Sequence, residues 1–132
     1  MADLPKYLSR NDDYKKSQKQ EDRLAKKLGG KKQKGSGSAK FNKGDVRMPE
    51  MLTEAKHTDK KSISVKLEYL RKITKEAQAY DLIPALAIAF GWLPTDSTEE
   101  KAYRAVERDW VLIPSAFLRE LLDVYRERTK DD

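Results

Sequence analysis

The chain has no cysteine and a single histidine, His57. Without cysteine there is no disulfide framework and no thiolate metal site. One histidine excludes a multi-histidine zinc site within one chain, and a triad hydrolase would have to use His57. No apolar run reaches the length of a membrane span. The opening residues, MADLPKYLSRNDDYKK, have no apolar centre of the kind that marks a signal peptide. A soluble, intracellular protein with no membrane partner is therefore expected. What the chain does have is charge: 38% of its 132 residues are charged and the mean hydropathy is −0.86. That length and polarity suit one modest domain with a small core.

The charge is unevenly divided. Residues 1–61 hold 17 Lys and Arg against 9 Asp and Glu, a net +8, whereas residues 62–132 hold 11 against 13, a net −2. A one-sided positive field favours a polyanion such as nucleic acid. A lysine-rich solubilising segment accounts for the same numbers. The stretch from Lys15 to Lys43 has too few aromatics for a base-stacking platform, so any nucleic-acid contact there is expected to be with backbone and shape.

Residues 1–16 are polar and aperiodic and are expected to form a flexible basic arm, with residues 17–132 as a single domain. Ser17 to Leu28 reads as a helix: Leu24 and Leu28 are four apart and Gly29-Gly30 is a stop. Glu21 shares their face. The next stretch, KKQKGSGSAKFNKGD, is glycine- and hydroxyl-rich and carries Lys34, Ser36, Ser38, Lys40 and Lys43. Its backbone amides suit approach to phosphate, and a plain connecting loop reads equally from it. Residues 45–56 read as a hairpin about Pro49-Glu50. A two-residue turn there sets Asp45 directly opposite Glu54 and leaves Glu54 and Lys56 on one face. His57 then falls on the other face as a packing or surface residue.

Leu67, Leu70, Ile73, Ala77 and Tyr80 recur at helical steps within residues 62–80, with Ser64 as a candidate cap. Residues 84–90 read as a buried strand, 94–108 as a loop with some helix, and 109–113 as another strand. From Pro114 to about Arg128 runs a helix with Phe117, Leu118, Leu121, Leu122 and Tyr125 as its apolar face. Trp92 and Trp110, beside strands, are expected in the core or a dimer interface. Gln78 on the long helix is a minor candidate for the site. The order is that of an α/β or α+β fold with a mixed sheet flanked by helices.

Two carboxylates facing each other across strands repel unless a positive charge lies between them. Lys56 would make a surface ion pair; a divalent cation would make a hydrolytic centre, since Mg²⁺ prefers oxygen ligands and activates water. Spacing alone leaves both open. The helix QEDRLAKKLGG, the loop GSGSAKFNKGDV, the strand LTEAKHT and the helix KLEYLRKITKEAQA with its following strand resemble the PD-(D/E)xK nuclease superfamily, and within it the small Holliday-junction resolvases of archaea and their phage counterparts. The resemblance covers about residues 18–90, with Gly44 where the family commonly has proline.

The resemblance implies a restriction-endonuclease-like core and cleavage of four-way DNA junctions by paired nicks, in the cytoplasm of a prokaryotic or phage-infected cell. It implies Mg²⁺, or Mn²⁺ in its place, held by Asp45, Glu54 and the Ala55 backbone carbonyl, with Lys56 as catalytic lysine. Glu21 would act on metal or water, and Ser36 and Ser38 would lie near the scissile phosphate. It also implies a homodimer. Lys60 and Lys61, beyond the strand, are candidate phosphate contacts or a solvated turn. The alternatives are a related nuclease acting on fork, flap, mismatched or duplex DNA, and a non-catalytic basic nucleic-acid-binding protein.

Overall fold

Two glycines end the first helix. In the computed structural model, which describes residues 18–32 and 45–130, helix α1 runs over 18–28. Gly29 adopts φ +70°, and the Gly30 N–H returns to the Ala25 carbonyl at 2.8 Å. That bond closes the helix end as a Schellman motif does. A Cβ on Gly30 would lie 2.8 Å from the Arg47 carbonyl oxygen, so only glycine lets the chain turn so close beneath the sheet. The expected arm, residues 1–16, and the loop bearing Lys34, Ser36, Ser38, Lys40 and Lys43 lie outside the described residues.

The sheet is mixed, in the order β1 (Lys31–Lys32), β2 (Asp45–Arg47), β3 (Met51–Thr58), β4 (Ile83–Phe90) and β5 (Asp109–Leu112). Only the β3–β4 pair is parallel. Its crossover carries helix α2 (Leu67–Gln78), as a parallel pair requires. Helix α3 (Ser97–Arg104) lies between β4 and β5, and α4 (Ser115–Lys130) ends the described chain. The expected α+β architecture with a mixed, helix-flanked sheet is what the residues form.

Each sheet face has its own core. Leu52 packs with Ile73, Ala77 and Leu82 beneath α2. Leu24 of α1 packs with Val46, Met48 and Ala87 on the other face. Ala85, Ala87 and Ala89 alternate along that second face, and their small side chains give α1 room to lie close. Truncating a fully buried aliphatic such as Leu52 or Ile73 to alanine costs about 2–5 kcal/mol.

Several expected details differ. Leu28 is 39% exposed, because the glycine turn carries the last residue of α1 away from the sheet. Ser64 does not cap α2; Lys66 occupies the cap position without a side-chain bond, and Leu67 beside it is 80% exposed. Trp110 is 53% exposed and so is not a core residue. Helix α4 forms as expected, its start accepting bonds at the Pro114 carbonyl from the Phe117 and Leu118 N–H groups, but it buries none of its residues.

A charged clamp fastens α1 to the far edge of the sheet. The Arg23 guanidinium donates to both Asp109 carboxylate oxygens at 3.0 and 3.1 Å, and the Lys27 ammonium reaches Asp109 and Glu107 at 3.0 Å each. The Arg23 hydrogen bonds, then those of Lys27, hold the Asp109 carboxyl below its ordinary pKa, and Arg23 and Lys27 are raised in turn. A carboxyl with a lowered folded-state pKa contributes stability that is present above its unfolded value, about pH 4, and is lost as pH falls through the folded value. We therefore predict that Asp109→Asn lowers the unfolding free energy at pH 7 by about 1–2 kcal/mol, allowing for the half-exposed partners. In denaturant titrations the difference from wild type should shrink below about pH 4.

Candidate metal centre

The β2–β3 register places the acids. Met48 and Met51 flank the turn, with the Met48 N–H donating to the Met51 carbonyl at 2.8 Å. Asp45 then pairs with Glu54, Val46 with Thr53 and Arg47 with Leu52. Directly paired residues share a face, and residues two apart on a strand share it too. Leu52 faces α2, so Asp45, Glu54 and Lys56 do as well, while Val46 and Ala55 face α1. The hairpin expected from Pro49-Glu50 has formed in the expected register.

Asp45 is 1% exposed. Lys56 Nζ lies 3.3 Å from Glu54 Oε1 and 4.6 Å from the centre of the Tyr69 ring, so α2 steadies the ammonium over the strand. The Lys56 side chain is one-third exposed, and an ion pair of that kind contributes about 0–1 kcal/mol. It accounts for Glu54 as a surface pair. Asp45, buried and in register with Glu54, sets a second carboxylate beside that pair, and two carboxylates so placed suit a shared cation.

Glu21 is buried at 5% exposure, as its place on the α1 stripe predicts, but its helix packs on the opposite face of the sheet. Among the described residues no three of His, Cys, Asp and Glu gather into a metal-holding group, so Glu21 does not join Asp45 and Glu54 in one. The donors brought together are two carboxylates, with the Ala55 backbone between Glu54 and Lys56 on the same strand. Hard oxygen donors of that number fit Mg²⁺, which binds through one or two carboxylates and keeps several waters. His57 sits apart, its Nε2 3.6 Å from Asp59 Oδ1. Gln78 is exposed at the end of α2. Lys60 and Lys61 are exposed beyond β3, and the Lys61 ammonium lies over the Trp92 ring at 4.7 Å.

Gln20 is a residue that the sequence pattern does not single out. It is 1% exposed, and its side-chain amide donates to the Lys56 carbonyl at 2.7 Å. It thereby anchors to α1 the residue whose ammonium completes the site. Its one sequence signal is the four-residue spacing to Leu24.

No family model, no curated protein and no solved structure matches this chain. The site therefore stands on its own chemistry. If Asp45 and Glu54 hold a divalent ion, Mg²⁺ or Mn²⁺ at about 100 times its Kd should stabilise the fold by about 2.7 kcal/mol, a rise of several degrees in Tm. Asp45→Asn should abolish that rise, and Glu21→Gln should leave most of it. A wild-type Tm unmoved by either ion would count against the centre.

Proposed function

We propose that this chain is a metal-dependent, structure-selective DNA endonuclease, read most closely as a Holliday-junction resolvase of the PD-(D/E)xK kind. One observation carries the reading: a buried Asp45 in register with Glu54, with Lys56 on the same face. The element order supports it, since an acidic hairpin on one side of a parallel crossover is the arrangement that the resemblance to a restriction-endonuclease-like core implies.

Asp45, Glu54 and the Ala55 carbonyl are the residues that would hold Mg²⁺ or Mn²⁺, which when bound supplies Lewis-acid stabilisation of phosphate charge and activates water. The chain's own groups do the remaining work. The Lys56 ammonium, held between Glu54 and Tyr69, offsets negative charge developing on the phosphate. Gln20 and the strand ladder hold the Lys56 backbone from which that side chain extends, and small displacements at such a site are expensive. The net +8 of residues 1–61 favours the DNA backbone as a partner. Lys34, Ser36, Ser38, Lys40 and Lys43 complete the proposed DNA contacts.

A four-way junction needs two opposed cuts, hence two copies of the chain. The α4 face offers a surface for pairing: Leu118, Leu121, Leu122 and Tyr125 are 38–65% exposed along a single 16-residue helix. Exposed apolar patches of that kind mark association surfaces. Light scattering should report a dimer, and Leu118→Glu with Leu122→Glu should give a folded monomer.

The deciding experiment incubates an immobile four-way junction, a fork and a linear duplex with the protein in Mg²⁺ and in EDTA. Symmetric paired nicks in the junction alone, lost in EDTA, are expected. Asp45→Asn and Lys56→Ala should each reduce cleavage at least about a hundredfold, the scale of losing an electrostatic stabiliser, while junction binding persists. Cutting of fork or duplex would keep the metal site and replace the substrate. Binding with no cleavage under any condition would favour a non-catalytic nucleic-acid-binding protein.

A further inference from the structure

Towards the β5 edge of the sheet lies a cleft of about 240 Å³ whose lining includes Lys60, Lys61, Trp92, Tyr103, Arg108 and Trp110. It mixes flat rings with cations, the combination that binds single-stranded nucleic acid through stacking and phosphate contact. We propose that this cleft holds an unpaired base and its phosphate from a DNA strand leaving the duplex beside the cleavage site. The inference rests on the nucleic-acid reading above and adds to it a contact with unpaired strand.

The rings are held in place. The Trp110 indole N–H donates to the Glu107 carbonyl at 2.7 Å, which fixes the orientation of a ring that is still 53% exposed. Trp92 and Tyr103 meet edge to face, with centroids 5.2 Å apart and planes at 84°. The Arg108 guanidinium bonds the Trp92 carbonyl and the Tyr103 carbonyl, tying the wall after β4 to the end of α3. A stacking surface held this way loses little freedom when a base lands on it. The charge is complementary to a strand: of the cations, Lys60 is free of any side-chain ion pair among the described residues, and Lys61 projects over the Trp92 ring. The acid lining the cleft, Glu107, is occupied by Lys27 at 3.0 Å.

Placement ties the cleft to the site. Lys56 pairs laterally with Ile88, and Ile88 with Trp110. The three form one row on the α2 face, so two strand spacings, about 10 Å, separate the Lys56 and Trp110 backbones. A strand passing the acids can therefore reach the indole without leaving the sheet face.

The test measures fluorescence-anisotropy binding of a short oligothymidine strand and of a blunt duplex, in EDTA so that nothing is cut. Trp110→Ala should weaken oligothymidine binding by about 5- to 100-fold, the effect expected for one stacked base, and leave duplex binding within about twofold. Trp110→Phe should restore most of the affinity. Lys60→Ala with Lys61→Ala should reduce the slope of log affinity against log salt for the single strand by about 0.7 per phosphate no longer neutralised. Trp110 is half exposed, and an unchanged melting curve for each variant confirms that folding is not the cause. Oligothymidine binding by Trp110→Ala equal to wild type would overturn the cleft, whatever happens to cleavage. A wild-type protein that cuts no junction yet shows this binding pattern would overturn the nuclease reading and leave the cleft standing. Failure to bind any DNA would overturn both.

Discussion

The pairing between β2 and β3 is the constraint on which the site depends. Side chains alternate along a strand, so a slip of one residue would send Asp45 or Glu54 through the sheet to the α1 side. Two apolar residues prevent that slip. Val46 is fully buried against Leu24, and Leu52 is fully buried against Ile73. Each is adjacent to, or two residues from, an acid, so keeping the hydrophobic side chains in their two cores fixes the polar ones by parity. The same residues that stabilise the hairpin therefore aim the carboxylates.

The helices convert that hairpin into a rigid site. On one face α2 brings Tyr69 over the Lys56 ammonium; on the other α1 brings the Gln20 amide to the Lys56 carbonyl. Lys56 is gripped by both its side chain and its backbone, from opposite sides. Helix α1 is itself held at the distant edge by Arg23 and Lys27 on Asp109, so loss of that clamp would loosen Gln20 and the strand bearing Lys56 together. Stability and site geometry are coupled through one helix.

Much of this is legible in sequence where the physics is local. The turn at Pro49-Glu50 sets a two-residue loop, and arithmetic on that loop puts Asp45 against Glu54. The three- and four-residue spacings place Glu21 on the buried side of α1. What resists reading is long-range or negative. The Arg23–Asp109 pair spans 86 residues, with no periodicity to announce it. Gln20 is polar and so does not advertise burial. The α4 apolar stripe reads as a packed helix face, yet nothing else in the described chain covers it. Leu28 and Leu67 continue their stripes in sequence, but the first lies at a glycine-terminated end and the second at the start of its helix, where the stripe has left the sheet.

The most direct test of the central claim locates the ion rather than the reaction. Fe²⁺ substituted for Mg²⁺ in the metal-free protein, with ascorbate and peroxide, generates hydroxyl radicals that cut the polypeptide next to the bound metal. Backbone cuts confined to the neighbourhoods of Asp45 and of Glu54 to Lys56, suppressed by excess Mg²⁺ and absent in Asp45→Asn, are the result expected of a metal centre between β2 and β3. Cuts clustered elsewhere in the chain, or none that Mg²⁺ suppresses, would contradict it.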